Sequence, residues 1–397
     1  MTAPSDAMGP PRLSLAALFL KFLRFGMLAF GGPVAQIAMI RRTLVDDEGW
    51  ISSPRFNRLL AVMQVLPGPE AHELCVHMGM MARGRIGGLL AGLGFMMPGF
   101  VLMLAAAWLY ERFIAGQPGL TGLLLGVQIV VVAIIIRAVH RIGSHVLEDR
   151  LLWALAIGAF AAALLHAPFW IPLLACGLIY ALEQRPWVGA AIVAAAVITA
   201  LLFGIHLEVA PPAVGISAEP SPQLAALFAA GLKGGLLTFG GAYTAIPYVR
   251  ADTVGRGWLP DGVFLDGVAL AGVLPAPLVI FGTFTGYVVG GWAGALAVTV
   301  GIFLPAFAFS MVLFNHLEAV VENPALHRVM AGAAAAVVGV IAATSLQLAW
   351  TTAHSVPSLG IAGLIFAGAL VAAWRLKPRW MPLLILGGAA AGRFALS

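Results

Sequence analysis

Apolar runs, most of them long enough to cross a bilayer, recur along this chain, and they constrain its fold more than any other feature. Seven lie in the first part, at 15–40, 56–82, 86–110, 120–140, 151–166, 168–183 and 187–206. Six follow, at 224–249, 264–289, 291–314, 328–349, 358–374 and 380–395. A helix needs about 20 residues to span hydrocarbon. Charged residues make up 10% of the chain, against roughly 25% in a soluble domain, and no hydrophilic stretch is large enough to fold separately. The expected fold class is an all-α polytopic membrane protein, and a receptor or an anchored enzyme is excluded. The first run far exceeds the 7–15 residue core of a cleavable signal, so it reads as a retained segment. The net charge of +5 is spread over short loops, as orientation by the positive-inside rule requires, and nucleic acid is not an expected partner. Cys75 and Cys176 sit in apolar surroundings without metal-ligand spacing and read as small buried residues.

The chain is duplicated. Phe30 to Ile37 reads FGGPVAQI and Phe239 to Ile246 reads FGGAYTAI. Gly31 pairs with Gly240, Trp50 with Trp258, Phe56 with Phe264, Pro67 with Pro275 and Pro98 with Pro305, all at offsets of 207 to 209. The Pro-rich polar stretch from Glu208 to Gln223 is the expected hinge. It gives repeats at 1–207 and 223–397 with a linker at 208–222. Whether the broken segments described next span or re-enter, half one crosses an odd number of times. The second repeat then enters inverted, with His140 to Arg150, Glu183 to Arg185, Arg375, Lys377 and Arg379 cytoplasmic, and Arg250 and Arg256 outside, against the rule.

In each half the first two segments are interrupted: at Gly31-Gly32-Pro33 and Pro67-Gly68-Pro69, then at Gly240-Gly241 and Pro275-Ala276-Pro277. Proline removes a donor and clashes with the preceding turn, and freed backbone groups are costly in hydrocarbon unless protein or water satisfies them. Matched interruptions in two halves point to a transporter's substrate site. A helix restarting in mid-membrane offers N–H groups and a dipole that suit an oxyanion. The plainer alternative is that Gly and Pro only let helices pack or kink.

Around the breaks, Phe30, Gln36, Gln64, Thr238, Phe239 and Tyr243 are candidate lining residues, the polar ones as neutral donors. Arg24 and Lys233, each seven residues before the first glycine of its break, are candidate countercharges or snorkelling side chains. Arg41, Arg42, Arg55, Arg58, Arg250 and Arg256 read as topology signals, as do Arg137 and Arg141 at the end of the fourth segment. After Pro69 come Glu70, His72, Glu73 and His77. Ionisable groups at such depth usually face a cavity. Glu70 is positioned to cap the new helix, and Glu70, Glu73 and His77 are proton-coupling candidates. Metal ligation fits poorly, because His72 and His77 are five apart, and no cofactor is expected.

FGGPVAQIAMI, Trp50, LPGPEAHELCVHMG, Gly84, Gly87 and Pro98, with LTFGGAYTAIPYV, GWL, LDGVALAGVLPAPLVIF and FLPAF in the second half, resemble the chromate ion transporter family in its long two-domain form. The resemblance implies a secondary transporter in the bacterial inner membrane that exports chromate and gives chromate resistance, built from two oppositely oriented halves. Three departures stand out: Gln36 where many relatives have His, Gly272 where an acidic residue is common, and Pro-Ala-Pro in place of Pro-Gly-Pro. The second departure leaves Glu70 and Glu73 as the carboxylates for a proton. Alternatives are a carrier for sulfate or another oxyanion, and a membrane enzyme using the Glu70, His72, Glu73 and His77 cluster. The expected partners are the oxyanion, the lipid bilayer and, for a homodimer, a second copy of the chain.

Overall fold

A computed structural model describes residues 9–30, 32–183, 185–207, 223–239, 241–312, 324–377 and 380–396. The expected linker at 208–222 lies outside them, as do Gly31 and Gly240. Helix accounts for every apolar segment of the sequence. In half one these are α1 (Leu15–Met27), α2 (Gly32–Arg41), α3 (Ser53–Val65) and α4 (Glu70–Phe113). They continue as α5 (Thr121–Val146), α6 (Arg150–Leu164), α7 (Trp170–Ala181) and α8 (Pro186–Leu207). Half two holds α9 (Leu224–Leu236), α10 (Ile246–Thr253), α11 (Asp261–Val273) and α12 (Phe281–Val312). It ends with α13 (Pro324–Ser355), α14 (Leu359–Arg375) and α15 (Met381–Ala395). Among the described residues, four helices are long and apolar enough to cross a bilayer.

All four interruptions are real, and the first in each half turns the chain back on itself. After α1 and its break, α2 brings Glu48 to an ion pair with Lys21 at 2.6 Å and the Trp50 ring edge-on to Phe22. The segment therefore returns to the level it left. In half two, Lys233 of α9 pairs with Asp252 of α10 at 2.9 Å in the same manner.

The long helices α4 and α12 are each a tight hairpin. Arg83 and Gly84 leave helical geometry in α4, as Gly290 and Gly291 do in α12. Gly84 has φ 62° and ψ −154°, and Gly291 has φ 61° and ψ −152°, a region open essentially to glycine alone. Across these turns Gly79 meets the carbonyl of Gly87, and Gly286 that of Gly294. Eight residues of straight helix would separate such pairs by about 12 Å. The sequence spacing already separates the two apolar runs here, and the structure shows that two residues join them. A side chain at Gly84 would meet nothing within 4 Å, so Gly84→Ala tests backbone strain alone. A stability loss of about 1–3 kcal/mol is expected, read as a lower unfolding temperature in detergent; an unchanged temperature would contradict this turn geometry.

Glycine also sets how the halves join. Gly122 and Gly126 of α5 lie against the backbone of Gly392 and Gly388 of α15, the small-xxx-small spacing that lets membrane helices approach closely. The pairing of 122 with 392 and of 126 with 388 makes these two helices antiparallel. At the end of α5, Asp149 caps α6 by accepting the Leu152 N–H at 2.8 Å. That bond, with the Tyr180 hydroxyl, holds the Asp149 carboxyl below the usual carboxylate range.

Candidate functional site

The four breaks meet at the centre of the molecule, and they meet crosswise. Gly68 of half one donates its N–H to the Thr238 carbonyl of half two at 2.8 Å. At the positions equivalent in the repeat, the Gln36 Nε2 donates to the carbonyls of Ala29 and Ala276 at 2.9 and 3.0 Å. Packing is exchanged in the same way: Gly68 faces the Cβ of Ala306, and Gly99 faces that of Ala276. The repeats thus share one centre. Ala276 at the middle of Pro-Ala-Pro, a departure in the sequence, supplies the methyl group that fills against Gly99.

This convergence leaves a cavity of about 70 Å³. A water needs roughly 10–15 Å³ by the same measure, so there is room for a small ion with part of its hydration shell. Gly32 and Pro33 line it from the first break, Gly241 and Tyr243 from the third, and Gly272, Leu274 and Ala276 from the approach to the fourth. Arg137 and Arg141 of α5 line the same cavity. Arg137 is half-buried, its Nη1 3.8 Å from the Met381 sulfur, and Arg141 lies at the exposed mouth. The lining thus combines two cations with a phenol and the start of α2.

Several expected residues take other places. Gly68 and Thr238 are buried in the bond that joins the halves, and Pro67 and Pro69 are buried beside it. Phe239 gives its N–H to the Thr244 hydroxyl at 3.0 Å. Phe30 and Arg24 are exposed, and Lys233 is engaged with Asp252 and the Phe169 ring. Pro275 and Pro277 flank the Ala276 contact, and the Gln64 side chain lies outside the described residues.

Glu70, His72, Glu73 and His77 are all buried in the first turns of α4, and none lines the cavity. Pro69 stands at the helix cap and no side chain caps it, so Glu70 does not play that role. Glu73 is fully buried with no hydrogen bond to either carboxylate oxygen, one of them against Gly68. The His72 ring is wedged between Phe303 and Phe307 at centroid distances of 4.9 and 4.7 Å. Among the described residues no group of three His, Cys, Asp or Glu is placed to hold a metal.

The arginines are what the sequence reading missed. Four residues apart, Arg137 and Arg141 share one face of α5; at the end of an apolar run they look like topology signals, and only the fold turns that face toward the breaks.

A duplicated bundle of apolar helices, with interrupted segments meeting at a cation-lined cavity, defines a polytopic membrane protein built like a transporter. The comparisons give the family. The chromate transporter family matches residues 16–181 and 225–393, and the chain belongs to it. It is 56% identical over 392 residues to a chromate transport protein of Pseudomonas aeruginosa, covering 98% of this chain and 94% of that one. A chromate transport protein of Cupriavidus metallidurans is 29% identical, over 99% of this chain and 96% of its own. An uncharacterized transporter of Methanocaldococcus jannaschii is 25% identical over 86% of each. No solved structure matches the chain.

Proposed function

We propose that the protein carries chromate out of a bacterial cell across the cytoplasmic membrane and so gives chromate resistance. Arg137 and Arg141 lining one cavity together with the breaks of both halves is the observation that carries this reading. Two guanidiniums match a dianion in charge and offer the planar forks that bind tetrahedral oxyanions. Sulfate has the same shape and charge and is the near alternative. Uptake of labelled chromate into everted vesicles, with sulfate as competitor, separates the two. Chromate displaced far better by chromate than by sulfate supports the proposal; equal displacement reduces the protein to a general oxyanion carrier.

The halves form an inverted-topology repeat. In support, the second limb of α4 runs parallel to α1, with Gly94 on Phe19 and Gly26 on Phe95 and Pro98. It then crosses, and counting the shorter apolar helices α6 to α8 as passes beside α5 gives five passes, which invert half two. Arg41, Arg42, Arg55, Arg58, Arg83, Arg85, Arg150, Arg185, Arg328, Arg375 and Lys377 then fall on one side, which is cytoplasmic. Arg112, Arg250, Arg256 and Arg393 fall outside, but Arg250 is held by Asp261 at 2.6 Å and Arg256 lies 3.5 Å from Asp252. The outer set is smaller than the cytoplasmic one, and these two have a local partner.

Moving one charge through 100 mV is worth about 2.3 kcal/mol, so a dianion leaving a negative interior gains roughly twice that. Export is driven mainly by the membrane potential. Collapsing the potential with valinomycin and potassium, while keeping the pH gradient, is expected to abolish most efflux. Undiminished efflux would favour proton antiport instead, with Glu70, Glu73 and His77 as its candidate groups.

A further inference from the structure

Asp266 is a buried carboxylate that the transport reading leaves without a role. It is 3% exposed on α11. Its Oδ2 accepts the Tyr110 hydroxyl at 2.8 Å and its Oδ1 accepts the Gln128 Nε2 at 3.0 Å. Tyr110 comes from α4 and Gln128 from α5, so both bonds cross from half two to half one. Asp266 is aligned with Arg58 in the repeat, and half one has no counterpart of this carboxylate.

The charge is unbalanced. Among the described residues no basic side chain pairs with Asp266. Arg250, which touches α11, is engaged with Asp261 and with Gln347 at 3.1 Å. Glu111 and Arg112, next to Tyr110, are exposed. The α12 side of α11 presents the Phe284 ring, against Gly267 and 5.0 Å from Tyr110. A buried carboxylate without a countercharge is costly, and a bound proton removes that cost. Farther along the same helix, Ala271 and Gly272, with Leu274 just past its end, line the anion cavity.

We infer that Asp266 is a proton-binding positioning residue, tying α11 to half one and linking proton occupancy to the anion cavity. On protonation the carboxylate takes one proton from water and becomes a neutral acid. Its O–H then donates to the Tyr110 oxygen, while Oδ1 keeps the Gln128 bond. The Tyr110 hydrogen turns away, and the joint between α11 and α4 is rewired. The acidic group absent at Gly272 is replaced, on this inference, by one less than two turns earlier on the same helix.

The inference rests on the anion-cavity reading, and one experiment separates their failures. Protons exchanged per chromate bound are counted with a pH dye in weakly buffered detergent solution, for the native protein and Asp266→Asn. Chromate's own protonation contributes equally to both. Asn can donate to Tyr110 and accept from Gln128, so it mimics the protonated site. Chromate binding to both proteins is expected, with proton counts that differ by a substantial fraction of one proton near the titration midpoint. Equal counts across the pH range would overturn the role of Asp266 alone; no chromate binding to the native protein would overturn the cavity reading beneath it. Should the Asn variant fail to fold, Tyr110→Phe is expected to displace the pH midpoint of the exchange, and an unmoved midpoint counts against the inference.

Discussion

Arg137→Gln is expected to weaken chromate binding by about 2 kcal/mol or more, roughly thirtyfold, with transport falling in step. The residue is half-buried and lines the cavity together with the breaks, so neither water nor another cation takes its place fully. Arg141→Gln is expected to cost less, because Arg141 stands at the exposed mouth where solvent screens it. Arg137→Lys keeps the charge but loses the fork, and an intermediate loss follows. Lys233→Gln is the contrast. Its ammonium lies 2.9 Å from Asp252 and over the Phe169 ring, and chromate affinity is expected to hold. Isothermal titration of the purified variants checks all four, and equal losses for Lys233→Gln and Arg137→Gln would move the site.

The second large effect is at Gly68. Its φ of +144° already disfavours a side chain, and a Cβ there would collide with the Glu73 carboxylate and come within 3.3 Å of Ala306. Backbone strain alone costs about 1–3 kcal/mol. Relief requires moving either a fully buried carboxylate or the other half of the molecule. Gly68→Val is therefore expected to abolish transport, through loss of the Gly68 to Thr238 bond that joins the halves. Gly84→Ala, with positive φ but open space around it, is expected to keep transport. Similar activity for both variants would show that the central joint does not govern transport.

Much of this arrangement is legible from residues alone. The matched breaks follow from proline and glycine chemistry, and the offsets of 207 to 209 locate their partners. The pairing of Gly84 with Gly291 in the same unusual backbone conformation shows the duplication down to a dihedral angle. What the breaks do is another matter. The sequence suggests N–H groups free for an anion, yet Gly68 spends its N–H on Thr238 and Phe239 on Thr244. The Gly68 donor is taken by a residue 170 positions away in the chain, and no local pattern encodes that contact. Arg137 and Asp266 illustrate the same limit. Each is a charged residue in or beside an apolar run, and its partner or cavity comes from a different helix. Lys233 errs in the other direction: its place before the break suggests a countercharge for substrate, and Asp252, brought alongside by the returning α10, takes that role.

The most direct measurement is a structure of the protein with chromate bound, with chromium located by its anomalous signal. Chromium is expected in the cavity lined by Arg137, Arg141, Gly32, Gly241 and Tyr243. Chromium against the Glu70, His72 and Glu73 cluster, or beside Lys233 and Asp252, would contradict the site.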